Sequence, residues 1–489
     1  VKNILVKLGD KYGSFLIIFF LIAINLFLFA LPLLQIGITI PKNYNEGWNA
    51  YQAAHAFSNE PLYPDLKALF SNNYPPLSFY IVGSLGLLID DNIVAGRIIA
   101  LISLLIVATT IGLITRKLSD SSFIALFSSL FFLAYVGGNH YEMVAMNDPQ
   151  ILAHAFQMIG FLIFLFSNQK GKPLIFSLLL IFIGGFIKHN LLALPIAITI
   201  WLFFNKRRSF YVWVIASVIL FLVSLVGLEL MYGSNFFTSL LAAPRHYWIG
   251  NVASKLQLWF TPILLLLAFG LVLFLSNYGN RQVQLIAIYV FLAGFWGVYV
   301  WGGDGTGPNA IFDLIIGLTL ASALAIYNLG KLSALSKVYR RTLFKPNFLQ
   351  IIAMLILLLS VLVIIPQRGI ELLTYLVKSE ARTIIAEDID FIAAHKGKAI
   401  CESLALCYWA GKPFTVDLFN LGQKLGENTV PEEEFTKLIK NHDFAVIQFD
   451  NPNGTTRIPE SVNQQIFANY KIERVSPQSG VFLLPKVKK

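Results

Sequence analysis

The chain has 489 residues, of which 56% are hydrophobic and 13% charged, with a mean hydropathy of +0.67. That composition excludes a soluble globular protein and describes a polytopic membrane protein, since a span needs about 20 mostly apolar residues. The net charge of +10 does not call for a nucleic-acid partner, because membrane proteins collect Lys and Arg in cytoplasmic loops. Cys401 and Cys407 are too few for a disulfide framework or a four-ligand zinc site.

In chain order, spanning helices are expected near 13–34, 93–115, 123–138, 149–167, 173–188, 190–204, 210–232, 257–276, 283–301, 310–330 and 348–366. The first run reads as a span rather than a cleavable signal, being longer than an h-region and lacking a small-residue cleavage site. The segment 77–89 follows Pro75-Pro76, ends at Asp90-Asp91, and is read as an interfacial or re-entrant helix. Charge supports that choice. With Lys2, Lys7 and Lys11 inside, every inner loop carries cations: Arg116-Lys117, Lys170 to Lys172, Lys206 to Arg208, Arg281, and Lys331 to Lys345. The outer loops then hold Glu46, Glu60, Asp65, Asp90, Asp91, Glu142, Asp148 and Asp304.

Eleven spans leave the C-terminus outside. The chain therefore divides into a membrane domain, 1–368, with a long first outer loop at about 36–92, and a small extracytoplasmic α/β domain, 369–489. In the latter, helical patterns at 371–395 and 432–442 alternate with strand-like runs such as "FAVIQF", 444–449. An oxidising compartment permits Cys401 and Cys407 to pair without requiring it.

The first outer loop carries "NEGWNAYQAAHAFSNEPLYP", 45–64. Asn45 is an N-cap candidate for a helix beginning at Gly47, and Glu46 then suits the helix dipole whatever else it does. Trp48, Tyr51 and His55 share a face that serves as an interfacial anchor or as a wall for a sugar ring. In "NHYEMVAMNDPQ", 139–150, Asp148 before Pro149 caps the next helix and leaves one oxygen free. His140, Glu142 and Asp148 offer donors for a divalent cation, but their spacing matches no specific metal motif, so no cofactor is expected. Lys188 and His189 of "IKHN" lie at an outer span end, where snorkelling accounts for the lysine. With Arg245, His246 and Lys255 they also make a cationic patch suited to phosphate. "WGGDGTGPN", 301–309, has no Walker lysine and is read as a flexible loop.

The acidic first loop, "NNYPPLSFY" (72–80), "AGRIIALISLLIVATTIGLITRKL" (95–118) and "MNDPQ" (146–150) together resemble the GT-C glycosyltransferases. The likeness covers roughly residues 40–205 and is nearest to the protein O-mannosyltransferase and lipid A aminoarabinose transferase branch. That branch has Asp where this chain has Glu46, and often His where it has Tyr74. The resemblance implies transfer of a sugar, a hexose or pentose, from a polyprenyl-phosphate carrier. The acceptor would be an envelope glycan, lipid or protein on the outer face of a prokaryotic plasma membrane. A glycosyl phosphate carries a good leaving group, so one base and a phosphate clamp suffice. Glu46 is the expected base and Asp148 its orienting partner. Lys188, His189 and Arg245 are expected on the phosphate, and Asn72, Tyr74, Trp48 and Tyr51 on the substrate. The alternative is a transporter or flippase for a lipid-linked or anionic substrate, which would more usually place its ionisable groups at mid-membrane.

Overall fold

The computed structural model describes residues 2–242, 244–335, 346–377 and 380–487. Most of the expected basic stretch, at 336–345, lies outside the described residues, as do the side chains of Lys2, Lys7 and Lys11.

Six described helices are long and apolar enough to cross a membrane, or eight if each bent pair counts as one span. The bends have sequence causes. Ile249–Trp259 and Thr261–Ser276 meet at 56° beside Pro262, and Leu349–Leu362 and Ile365–Val377 meet at 40° beside Pro366. Three further expected spans appear as shorter apolar helices, Gln150–Phe166, Gly171–Ile187 and Ala193–Asn205. The last has 13 residues, about 20 Å of helix against a hydrocarbon core of about 30 Å. Leu77–Ile89 is equally short. The count of eleven therefore depends on those three helices.

The first-loop helix is Tyr44–His55, with Asn43 rather than Asn45 as its N-cap; the Asn43 side chain accepts from the Asn45 amide. The helix thus begins three residues earlier than the sequence suggests, which frees the Asn45 side chain from capping. Eight of its residues are buried, including Trp48 and Tyr51.

In the C-terminal domain, β1 (Lys398–Cys401), β2 (Phe444–Phe449), β3 (Tyr470–Ser476) and β4 (Gly480–Pro485) form a sheet of order β1-β2-β4-β3. β1 and β2 are parallel, while β4 runs antiparallel to both β2 and β3. Its core gathers Ile400, Ile447, Phe449 and Leu483 with Phe435 and Ile439 of helix Glu432–Lys440. Cys401 and Cys407 are joined in a disulfide.

This domain sits directly on the first loop. A Cβ on Gly47 would lie 2.2 Å from the Ala405 nitrogen, so the close approach of helix Leu404–Trp409 requires glycine there. Tyr51 stacks on Phe414 at 4.7 Å and donates to the Lys412 carbonyl. Lys424 donates to the carbonyls of Ala68 and Phe70, and Trp409 to Asp91.

Candidate active site

Three connected spaces run from the membrane-facing side to the underside of the C-terminal domain. An apolar groove of about 550 Å3 is walled by Leu178, Phe182, Phe186, Phe221 and Leu225. It shares His189, Leu192, Leu240 and Leu241 with a first chamber of about 660 Å3. That chamber also holds Lys188, Gln150 and Arg245. Asn45, Asn73, Tyr74, Arg245 and Asn309 border both it and a second chamber of about 330 Å3. The second chamber is closed by Asp417, Phe419, Asn420 and Arg457 of the C-terminal domain.

The expected residues separate sharply. Trp48, Tyr74, Lys188, His189 and Arg245 line the chambers. The Lys188 ammonium lies 3.6 Å from the Tyr74 ring centroid and 3.9 Å from Asp148 Oδ2. The helix Gln150–Phe166 has Pro149, one residue later than expected, at its N-cap, and Asp148 Oδ1 accepts from the Gln150 amide and from Asn309 Nδ2. Its other oxygen is buried with no hydrogen-bond partner and points the charge toward Lys188. Arg245 is exposed and has no acidic partner among the described residues.

Glu46 does not line either chamber. It is fully buried, and Arg97 grips both carboxylate oxygens, Nε to Oε1 at 2.8 Å and Nη2 to Oε2 at 2.7 Å. The amides of Lys42 and Asn147 fill further acceptor positions, and Arg97 also donates to the carbonyls of Gln35, Ile38 and Ile40. A carboxylate so occupied ties the first loop to helix Asn92–Ser119. Arg97 was legible as a cation inside an apolar helix, which demands a buried partner.

Three other expectations fall elsewhere. Tyr51 is enclosed by the C-terminal domain and is no sugar wall. Asn72 is buried in a turn, donating to Leu62 and accepting from the Tyr74 amide. Lys255 is used by the Gly-rich loop, donating to the carbonyls of Trp301 and Gly303 and to Thr306. That loop is a wall of both chambers, not a loose connection.

Glu142 is the carboxylate the sequence undervalued. It stands in the short helix Tyr141–Met143, half-buried, lining the second chamber with no hydrogen bond or ion pair among the described residues. His140 is buried against Phe312, so the trio weighed for a metal does not converge; no metal-binding group of three occurs among the described residues. Asp417 was wholly missed. It accepts from Tyr44, Asn420 and the Phe419 amide, and burial pushes its pKa up to about 6.

The bundle, its first-loop helix and the capping α/β domain share their fold with two membrane proteins of solved structure. Among solved structures, ArnT from Cupriavidus metallidurans in the apo state has a TM-score of 0.58 and 12% identity, over 93% of this chain and 96% of its own. The same protein bound to undecaprenyl phosphate gives 0.57 and 12%, over 93% and 97%. The archaeal oligosaccharyltransferase AglB from Archaeoglobus fulgidus, in complex with an inhibitory peptide and a dolichol-phosphate, gives 0.54 and 11%, over 90% and 69%. No protein-family model and no curated protein matches the sequence.

Proposed function

We propose that this protein is a membrane glycosyltransferase that moves a sugar from a polyprenyl-phosphate carrier to an envelope acceptor on the outer face. The observation that carries this is the continuity of the cavity: an apolar groove opens onto cations, and beyond them stands an unpartnered carboxylate. A polyprenyl tail matches the groove, because burying each CH2 contributes about 0.8 kcal/mol. The phosphate then meets Lys188 and Arg245, with His189 at the junction. The fold's likeness to ArnT bound to undecaprenyl phosphate and to AglB with a dolichol-phosphate supports the same reading.

In the reaction, the acceptor oxygen bonds to the anomeric carbon while the bond from that carbon to the phosphate oxygen breaks. The electron pair leaves on the polyprenyl phosphate, whose charge Lys188 and Arg245 stabilise. The acceptor proton passes to Glu142, which is free to receive it. Asp148, 3.9 Å from the Lys188 ammonium, positions it at the chamber wall. Glu46, with Arg97, keeps the first loop in place.

A charge-assisted contact to phosphate contributes roughly 1.5–3 kcal/mol, so Lys188→Ala should weaken polyprenyl-phosphate binding about ten- to a hundred-fold. Lys188→Arg should retain part of the affinity. Titration of purified protein with undecaprenyl phosphate reads this directly, and equal affinity in wild type and Lys188→Ala would remove the lysine from the clamp.

A further inference from the structure

The second chamber differs chemically from the first. It shares no residue with the apolar groove. A lipid-borne donor reaches it only past the Asn45, Tyr74, Arg245 and Asn309 border. The wall beyond that border is supplied by the first loop, the C-terminal domain and, from the rest of the membrane domain, Glu142, Met143, Trp259 and Pro308. Five of its polar residues are carboxamides, Asn43, Asn45, Asn73, Asn309 and Asn420, and they stand beside the charged Glu142, Arg245, Asp417 and Arg457. The side chains of Asn45 and Asn73 have no hydrogen-bond partner among the described residues. Each therefore offers a free donor pair and a free acceptor.

Phe419 enters from the C-terminal domain and meets the Tyr44 ring edge-on at 6.3 Å. Gly305, at φ +69°, makes room for it: a Cβ there would lie 2.7 Å from Phe419 Cζ. Arg457 is held by Glu402 and covers the outer face of Tyr44 at 4.1 Å, so it is not a free cation seeking an anionic ligand.

We infer that this chamber is the acceptor subsite and that the acceptor it takes is a saccharide. The inference rests on the transferase reading and adds the acceptor's chemical class. A hydroxyl both donates and accepts, and so does a carboxamide; the two unpartnered amides of Asn45 and Asn73, with an aromatic ring across the chamber, match a ring bearing several hydroxyls. A peptide acceptor would be expected to pair its backbone with a strand edge, and the chamber wall is made of helix ends and loops. A lipid acceptor would lay its chains in an apolar groove, and the second such groove, about 680 Å3 walled by Phe274, Phe291 and Leu318, shares Tyr247 and Tyr299 with the first chamber and no residue with this one. One saccharide hydroxyl attacks the anomeric carbon of the donor sugar, its proton goes to Glu142, and polyprenyl phosphate leaves with the bonding pair.

Saturation-transfer NMR on purified full-length protein in nanodiscs, with the methyl glycosides of glucose, galactose, mannose and N-acetylglucosamine, probes the chamber without a donor. At least one glycoside should bind wild type. Phe419→Ala should weaken that binding ten-fold or more and Phe419→Tyr should restore it, with undecaprenyl-phosphate affinity constant across the three proteins. No glycoside signal, a signal indifferent to Phe419→Ala, or binding and glycosylation of a Ser/Thr peptide alone would each overturn the inference. Failure of wild type to bind undecaprenyl phosphate would instead overturn the transferase reading on which it rests.

Discussion

Glu142 and Glu46 make opposite predictions. Glu142→Gln keeps size and polarity but cannot take a proton, so turnover should fall by roughly 10²–10⁴-fold with folding and donor binding preserved. Glu46→Gln removes one partner of a fully buried bidentate pair and leaves Arg97 uncompensated. That should cost about 3–5 kcal/mol of stability, read as a lowered thermal unfolding midpoint in detergent. The sequence made the first-loop carboxylate conspicuous because the helix dipole and the outer-loop position both point to it. It concealed the pairing, which joins residues 51 apart and depends on how two helices cross. Lys188 drew attention as a cation at a span end, and Tyr74 through the resemblance, which often has His at that position before Pro-Pro. Asp417, Phe419 and Asn420 were not, since only tertiary docking brings them to the membrane domain.

At the scale of single elements, the groove helix Gly171–Ile187 can be tested through Gly185, which lines the groove with open space where a Cβ would stand. Gly185→Trp should fill the groove, lowering affinity for undecaprenyl phosphate much more than for a short-chain isoprenyl phosphate in the same titration. Equal loss for both would assign the groove no part in tail binding. The docked helix Leu418–Gly426 offers a pH test. Its N-cap Asp417 has a folded pKa raised from 3.8 to about 6 by burial, so the folded state holds this proton more tightly than the unfolded chain. The stabilisation is complete below about pH 4 and is lost as pH rises through about 6. Arg457, which favours the ionised form, and Lys424, lowered to about 8, also face this carboxylate. Between pH 4 and 6.5, wild type should lose stability relative to Asp417→Asn, which keeps the cap; hydrogen exchange of this helix would show it, and parallel pH profiles would contradict it. Elements themselves were mostly legible: strand β2 coincides with its apolar run at 444–449. Short helices such as Ala193–Asn205 resist assignment because hydropathy marks an apolar run without giving its helical length.

For the whole molecule, we propose eleven spans with the C-terminal domain outside, as loop charge requires. Cys401 and Cys407 are bonded and buried, so an introduced cysteine at exposed Lys396 is the better reporter. A membrane-impermeant maleimide should label Lys396→Cys in intact cells; labelling only after lysis would reverse the topology. The fold shared with ArnT and AglB was suggested by loosely spaced motifs at roughly 40–205, while the docking of the C-terminal domain on the first loop emerged only from its contacts. A carrier would also bind a lipid-linked sugar, but it would release the molecule intact. The decisive measurement is therefore a mass balance. Purified protein in nanodiscs is given an isotopically labelled polyprenyl-phosphate sugar and an envelope extract, and both products are followed by mass spectrometry. Transfer predicts free polyprenyl phosphate and sugar-labelled acceptor appearing in equal amounts, both abolished by Glu142→Gln. Intact donor recovered in full, with no labelled acceptor, would contradict the account.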